Sequence, residues 1–303
     1  MIIALMASVL LQHYAPPAPR TNLAPNPNYN QLCGEVGLST AACAQAALSA
    51  LDSARSHENL GPLVLPRDWL SLTPAEQIFV VTNLERVARG ETPITGLTAA
   101  LNAVAETGAV NRSDPTMPVS TAPFVSIWAE DTGPLASDYG WMYQDGYGGP
   151  GNTQNLDCTT ASAAGCWGHR DNILAEWTRK LLAGHPGSWY LAAGAAQSII
   201  PGGLGTAREV SDAMIVTAVT TPPDYVYTWA EAIAEGAGGS RGVETIPGAL
   251  NLRGAFRWLR TQPFALTLLT TAILLLAMRI LSPRRFRLAR RRGKVQDIRR
   301  FRR

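Results

Sequence analysis

Apolar residues recur at helical spacing through the first third of the chain, and the breaks between them mark the ends of the elements. Thr40 to His57 is rich in alanine and reads as a helix that stops before Gly61-Pro62. Thr73-Pro74-Ala75-Glu76 places a threonine cap before a first-turn proline, with glutamate three residues after the cap. The helix it opens turns Ile78, Phe79, Val81, Leu84 and Val87 inward and ends near Gly90, and a further helix is expected over Thr95 to Thr107. Beyond it the period changes. Val125 to Trp128, Leu191 to Ile200 and Met214 to Val219 are β-prone runs. A polar, glycine-rich loop from Gln144 to Gly165 separates the first run from the others. Helices and strands in mixed order predict an α+β fold.

The two ends follow different patterns. Between Arg260 and Arg279 lie eighteen uncharged residues, about 27 Å of helix, close to the roughly 30 Å of a bilayer's hydrocarbon once Ile280 and Leu281 are added. This predicts a transmembrane helix over 263–282, with 283–303 as a basic cytoplasmic tail, because Lys and Arg beside a span stay on the cytoplasmic side. The rival topology is a tail anchor with a cytosolic body. Ile2 to Leu11 has the size of a signal-peptide core, although a basic leader and a clear cleavage site are missing. The expected division is therefore 1–15 signal peptide, 16–62 proline- and asparagine-rich leader with the alanine-rich helix, 63–235 folded domain, 236–262 flexible stalk, 263–282 span and 283–303 tail.

Composition sharpens this division. The formal charge of +3 conceals a tail with twelve basic residues and one acid from Arg279 onward, which leaves 14 basic against 22 acidic residues, a net of −8, in 1–278. An acidic body disfavours nucleic acid as a partner. Cys33, Cys43, Cys158 and Cys166 fall into two sequence-local pairs and read as disulfides formed in an oxidising compartment. Other pairings and free thiols remain alternatives. A metal site on Cys158, Cys166 and His169 lacks the tight spacing that zinc sites favour.

Gly168-His169-Arg170-Asp171-Asn172-Ile173-Leu174 resembles the G-H-R-x-N-I-L motif of bacterial members of the CAP superfamily, which includes cysteine-rich secretory, antigen 5 and pathogenesis-related proteins. Asn83 to Arg86 with Gly90 and Pro93, Trp128 to Asp131, Trp141-Met142 and Ala193-Gly194-Ala195 are similar to other family segments in the family's order. The resemblance spans roughly residues 63 to 235 and implies a CAP-like α-β-α sandwich ectodomain. It also implies a cleft of two histidines and two acids able to hold a divalent metal such as zinc. His169 matches one histidine and Glu130 one acid; Gln144 and Asp145 stand near the second acid, and Asn111 and Asp114 stand where the second histidine belongs. Half of that tetrad is altered.

Read as a helix, the motif puts His169, Asn172 and Ile173 on one face, with Arg170 free to pair with Glu176 or solvent. The expected binding cleft is His169, Glu130, Asn172, Gln144 and Asp145, and the resemblance implies a non-enzymatic module for lipid, glycan or cell-envelope material, held to a membrane through 263–282. One alternative is a hydrolase using His169 with Glu130 and a nucleophile such as Ser137 or Ser126, although no nucleophile elbow supports it. Another is an adhesion role for the aromatic stretch Tyr139, Trp141, Tyr143 and Tyr147.

Overall fold

The computed structural model describes residues 16–248 except 19, 39, 118–122, 152–153, 175–188 and 201–208. The chain divides into two units, 1–249 and 250–303, of which the second lies outside the described residues. The described chain is α+β, with seven α-helices and a mixed five-stranded sheet. The expected membrane helix is corrected: no described helix is long and apolar enough to cross a membrane. The longest has 16 residues, about 24 Å, short of the roughly 30 Å required. The segment 263–282 itself falls outside the described residues, as do 1–15 and the tail.

The helices are α1 (Tyr29–Val36), α2 (Ala41–Ser56), α3 (Pro74–Ala88), α4 (Ala99–Asn111), α5 (Pro134–Tyr143), α6 (Gly168–Leu174) and α7 (Trp229–Ala234). The strands are β1 (Gly96–Leu97), β2 (Phe124–Asp131), β3 (Tyr190–Ile200), β4 (Glu209–Val219) and β5 (Tyr227–Thr228), in the spatial order β2-β4-β3-β1-β5. β4 lies antiparallel between β2 and β3, whereas the short β1 runs parallel to β3.

Local chemistry sets the helix starts. Thr73 accepts from the Glu76 N–H while the Glu76 carboxylate accepts from the Thr73 N–H, so the capping box expected from sequence forms. Thr40 caps α2 in the expected place. The helix expected from Thr95 begins later, at Ala99, because Gly96 and Leu97 are drawn into the sheet beside Ala192 and Ala193 and Thr98 becomes the cap.

Strand alternation divides the core between two faces. Met214, Val216 and Ala218 of β4 and Leu191, Ala193 and Ala195 of β3 join Ile78 and Phe79 of α3 and Tyr139 and Met142 of α5 in the main cluster. The opposite face receives α4, which comes so close that a Cβ on Gly194 would lie 1.9 Å from the Leu101 carbonyl carbon. Only glycine allows that approach.

The folded domain is wider than 63–235. Tyr29, Cys33, Leu48 and Leu51 belong to the main core, so part of the expected leader is helix α1, capped by Asn28. Residues 236–248 do not form a free stalk. Val243 exchanges backbone hydrogen bonds with Leu65, Ile246 is buried, and its N–H donates to the Gln45 side chain. The disulfides Cys33–Cys43 and Cys158–Cys166 both form, the second bracing the long loop between α5 and α6.

Candidate functional site

The histidine motif lies on α6, a short helix packed against α3, α5 and β2. Its position depends on Asp145, just after α5. One Asp145 oxygen accepts from the His169 N–H at 2.7 Å and the Arg170 N–H at 3.2 Å, and the other meets His169 Nδ1 at 2.7 Å. The carboxylate thus caps the start of α6 and orients the ring through the same contact. Asn155 donates to Asp145 and to the Gly165 carbonyl, tying the disulfide loop to the site.

The other ring nitrogen, Nε2, faces Asp114 Oδ1 at 3.6 Å. Asp114 lies on the turn that ends α4, where Arg112 adopts a left-handed conformation (φ 57°). From the same turn Arg112 Nε donates to Glu130 Oε2 at 3.0 Å. One three-residue turn therefore holds Glu130 at one end and His169 at the other. Glu130 Oε1 is buried without a partner, and Asn172 donates to the Ser126 carbonyl. Gln144 closes α5, its backbone N–H bonded to the Gly140 carbonyl.

Burial disfavours charge on His169, but the two flanking carboxylates, Asp114 at ion-pair distance and Asp145 in hydrogen-bond contact, outweigh it and lift its pKa to about 10. Burial also pushes the Asp145 carboxyl up, against the opposing effect of the imidazole and the two N–H groups it accepts from. Four donors converge on the Asp145 carboxylate, an arrangement built for the anion, so the pair is held as imidazolium and carboxylate. An imidazolium has no lone pair for a metal or for a substrate proton.

The expected chemistry is tested by these contacts. Glu130 is paired with Arg112 and makes no ion pair or hydrogen bond with His169. Among the described residues no three His, Cys, Asp or Glu side chains are grouped to hold a metal, so the residues present do not fit a zinc site. Ser137 is fully buried and donates to Asp212 Oδ2 at 2.7 Å, away from His169. Tyr139, Trp141 and Tyr143 are buried in α5 rather than displayed as an adhesive surface. Behind Asn172 lies a cavity of only about 10 Å³, room for at most one water.

Arg170 is also corrected. It is wholly buried, donates to Glu58 at 2.8 Å and to the Met142 carbonyl at 2.7 Å, and lies over the Tyr143 ring; Glu176 lies outside the described residues. Glu58 also takes Arg89, and Glu85 takes both Arg89 and Arg55, so five charged groups from α2, its C-terminal turn, α3 and α6 form one buried lattice. Asn83 and Arg86 of the family-like stretch tie down the 92–94 turn, and Arg86 also reaches the Ile173 carbonyl. Sequence reading missed this lattice, although Glu85 and Arg89 at i and i+4 were a visible signal. Comparison of the chain with family models, with curated proteins and with solved structures found no match.

Proposed function

We propose that this chain is an extracytoplasmic, disulfide-braced binding module of the CAP type that takes polyhydroxylated cell-envelope material, a glycan, at the His169 ledge. The observation that carries the reading is the open gap between His169 Nε2 and Asp114. At 3.6 Å it is too long for a direct hydrogen bond, and Asp114 is 44% exposed in its side chain. A ring N–H and a carboxylate oxygen at that spacing can both address one hydroxyl, which accepts from the first and donates to the second. Arg112 and Glu130 extend the same polar lip.

Hydrolysis is the weaker reading. The carboxylates of Asp114 and Asp145 are the groups paired with the imidazole among the described residues, and neither is a nucleophile that it could activate. The two disulfides favour an oxidising compartment. Wild-type protein should sediment with insoluble cell-wall polysaccharide, and Asp114→Asn should weaken that capture about tenfold while the variant stays folded by circular dichroism. Turnover of chromogenic esters or peptides that vanishes in His169→Asn would replace this proposal with the hydrolase.

A further inference from the structure

The sheet is incomplete on one side of β3. β1 pairs with Ala192 and Ala193 alone, and Leu191 and Ala193 direct their carbonyls toward β1, accepting from Thr95 and Thr98. Odd-numbered residues of β3 therefore turn their backbone polar groups to that edge. The Ala195 N–H there is taken by the Asn102 side chain. Gln197 and Ile199 come next, and among the described residues their N–H and C=O groups on this edge have no partner. No charge or proline guards Ala195 to Ile200, and Ile199 is 71% exposed. Unguarded edges of this kind are templates for another strand.

A cleft adjoins the edge. It holds about 220 Å³ between the start of α2, the 69–72 turn and the start of α5, and its walls include Leu38, Leu70, Leu72, Leu135 and Val210, with Gln197 on its border. Val210 is the cross-strand partner of Ile199, and Gln197 and Ile199 share one face of β3, so the cleft meets the edge strand at Gln197. Gln197 Nε2 is fixed on the Asp212 carboxylate, which leaves Oε1 as an acceptor. Small-molecule sites run to roughly 300–1,000 Å³; this one is sized for a side chain.

We infer that the open edge of β3 and the adjoining cleft take an extended apolar peptide by strand addition, its backbone on Gln197 and Ile199 and one side chain in the cleft. This surface is separate from the His169 ledge, and the two stand or fall independently. The probe is an end-blocked, fluorescein-labelled peptide alternating leucine and threonine, offered to the full chain with its disulfides intact. Two derivatives carry N-methyl groups on alternate amides, one in each register.

The parent peptide binds saturably, N-methylation in one register weakens it about tenfold or more, and the other register leaves it within about twofold, because an added strand turns only alternate amides to its neighbour. Ile199→Pro, which removes an edge donor while sparing the pairing with β4, gives a comparable loss, as does Leu70→Lys at the cleft; His169→Asn leaves peptide binding unchanged. The inference is overturned by absent saturable binding or by equal tolerance of both methylated registers. A dimer in sedimentation that Ile199→Pro dissolves would also overturn it, since a second copy would then own the edge.

Discussion

Two clusters of charged groups, one joining α2, α3 and α6 and one on β2 and β4, are handled in opposite ways. In the first, Arg55, Arg89 and Arg170 surround Glu85 and Glu58. Burial alone would raise Glu85, but the flanking guanidinium groups hold it down at about 2. In the second, Asp131 is half-buried and Asp212 fully buried, and both have neutral partners. Tyr29 and the Thr132 N–H donate to Asp131, and Ser137 and Gln197 donate to Asp212. Among the described residues no cation pairs with either, and burial lifts Asp131 to about 7 and Asp212 to about 6. Glu85 and Asp212 are equally buried and titrate in opposite directions, and the arginines paired with Glu85 make the difference.

The largest effect is expected where the first cluster is broken. Glu85→Gln leaves Arg55 and Arg89 buried without their shared anion and should cost about 3–5 kcal/mol in urea unfolding. Glu85 titrates below its unfolded value, so its contribution is present above pH ~4.3 and is lost as the pH falls toward 2. A wild-type acid limb that survives in the variant would show that the lattice does not bind Glu85 as an anion.

The second cluster should act in the reverse sense. Asp131 and Asp212 have folded pKa values above their unfolded ones, so the native state binds more protons between pH ~4 and 7 and stability falls as the pH rises through that window. The double variant Asp131→Asn, Asp212→Asn should flatten a decline of about 2–4 kcal/mol. Unchanged pH dependence of the melting temperature would mean that both carboxyls are already ionised without cost. His169 provides a third and smaller stage. Its raised pKa gives stability that is whole below pH ~6.5 and is lost as the pH climbs through about 10. His169→Asn should remove that upper limb at a cost of about 1–2 kcal/mol, limited by the half-exposed, screened Asp114.

The comparison also explains what the sequence could reveal. The capping box at Thr73, the alanine-rich helix and the β3 run depend on local chemistry and periodicity and form where expected, whereas β4 extends the expected Met214 to Val219 run back to Glu209 by pairing with β2 and β3. β1 and β5, two residues each, exist only because β3 and each other are there to pair with. Helix α5 was hidden because its aromatic residues at Tyr139, Trp141 and Tyr143 are packed by partners remote in sequence. At the site, the histidine motif points to His169 and the stretch after Trp141 to Gln144 and Asp145, of which Asp145 meets the ring; Glu130, expected beside the histidine, is held by Arg112. Arg170 reads from sequence as a partner for Glu176 or solvent because Glu58, which it meets, is 112 residues away. Pairing of charges across the fold is set by tertiary packing, and spacing along the chain does not report it.

Ser137 isolates what a neutral donor can do in place of a cation. Its hydroxyl donates to Asp212 Oδ2 at 2.7 Å inside a fully buried pocket, and this bond favours the ionised carboxyl and lowers its pKa against the upward push of burial. Ser137→Ala removes the donor and almost no volume, so the expected cost is only about 1 kcal/mol at neutral pH. The more telling change is in slope. Without the hydroxyl, Asp212 should ionise at a higher pH and hold its proton further into the neutral range, so the decline in stability should extend to higher pH than in wild type. A decline that ends at lower pH would mean that the hydroxyl accepts from a protonated Asp212, in which case the second cluster is organised around a neutral acid.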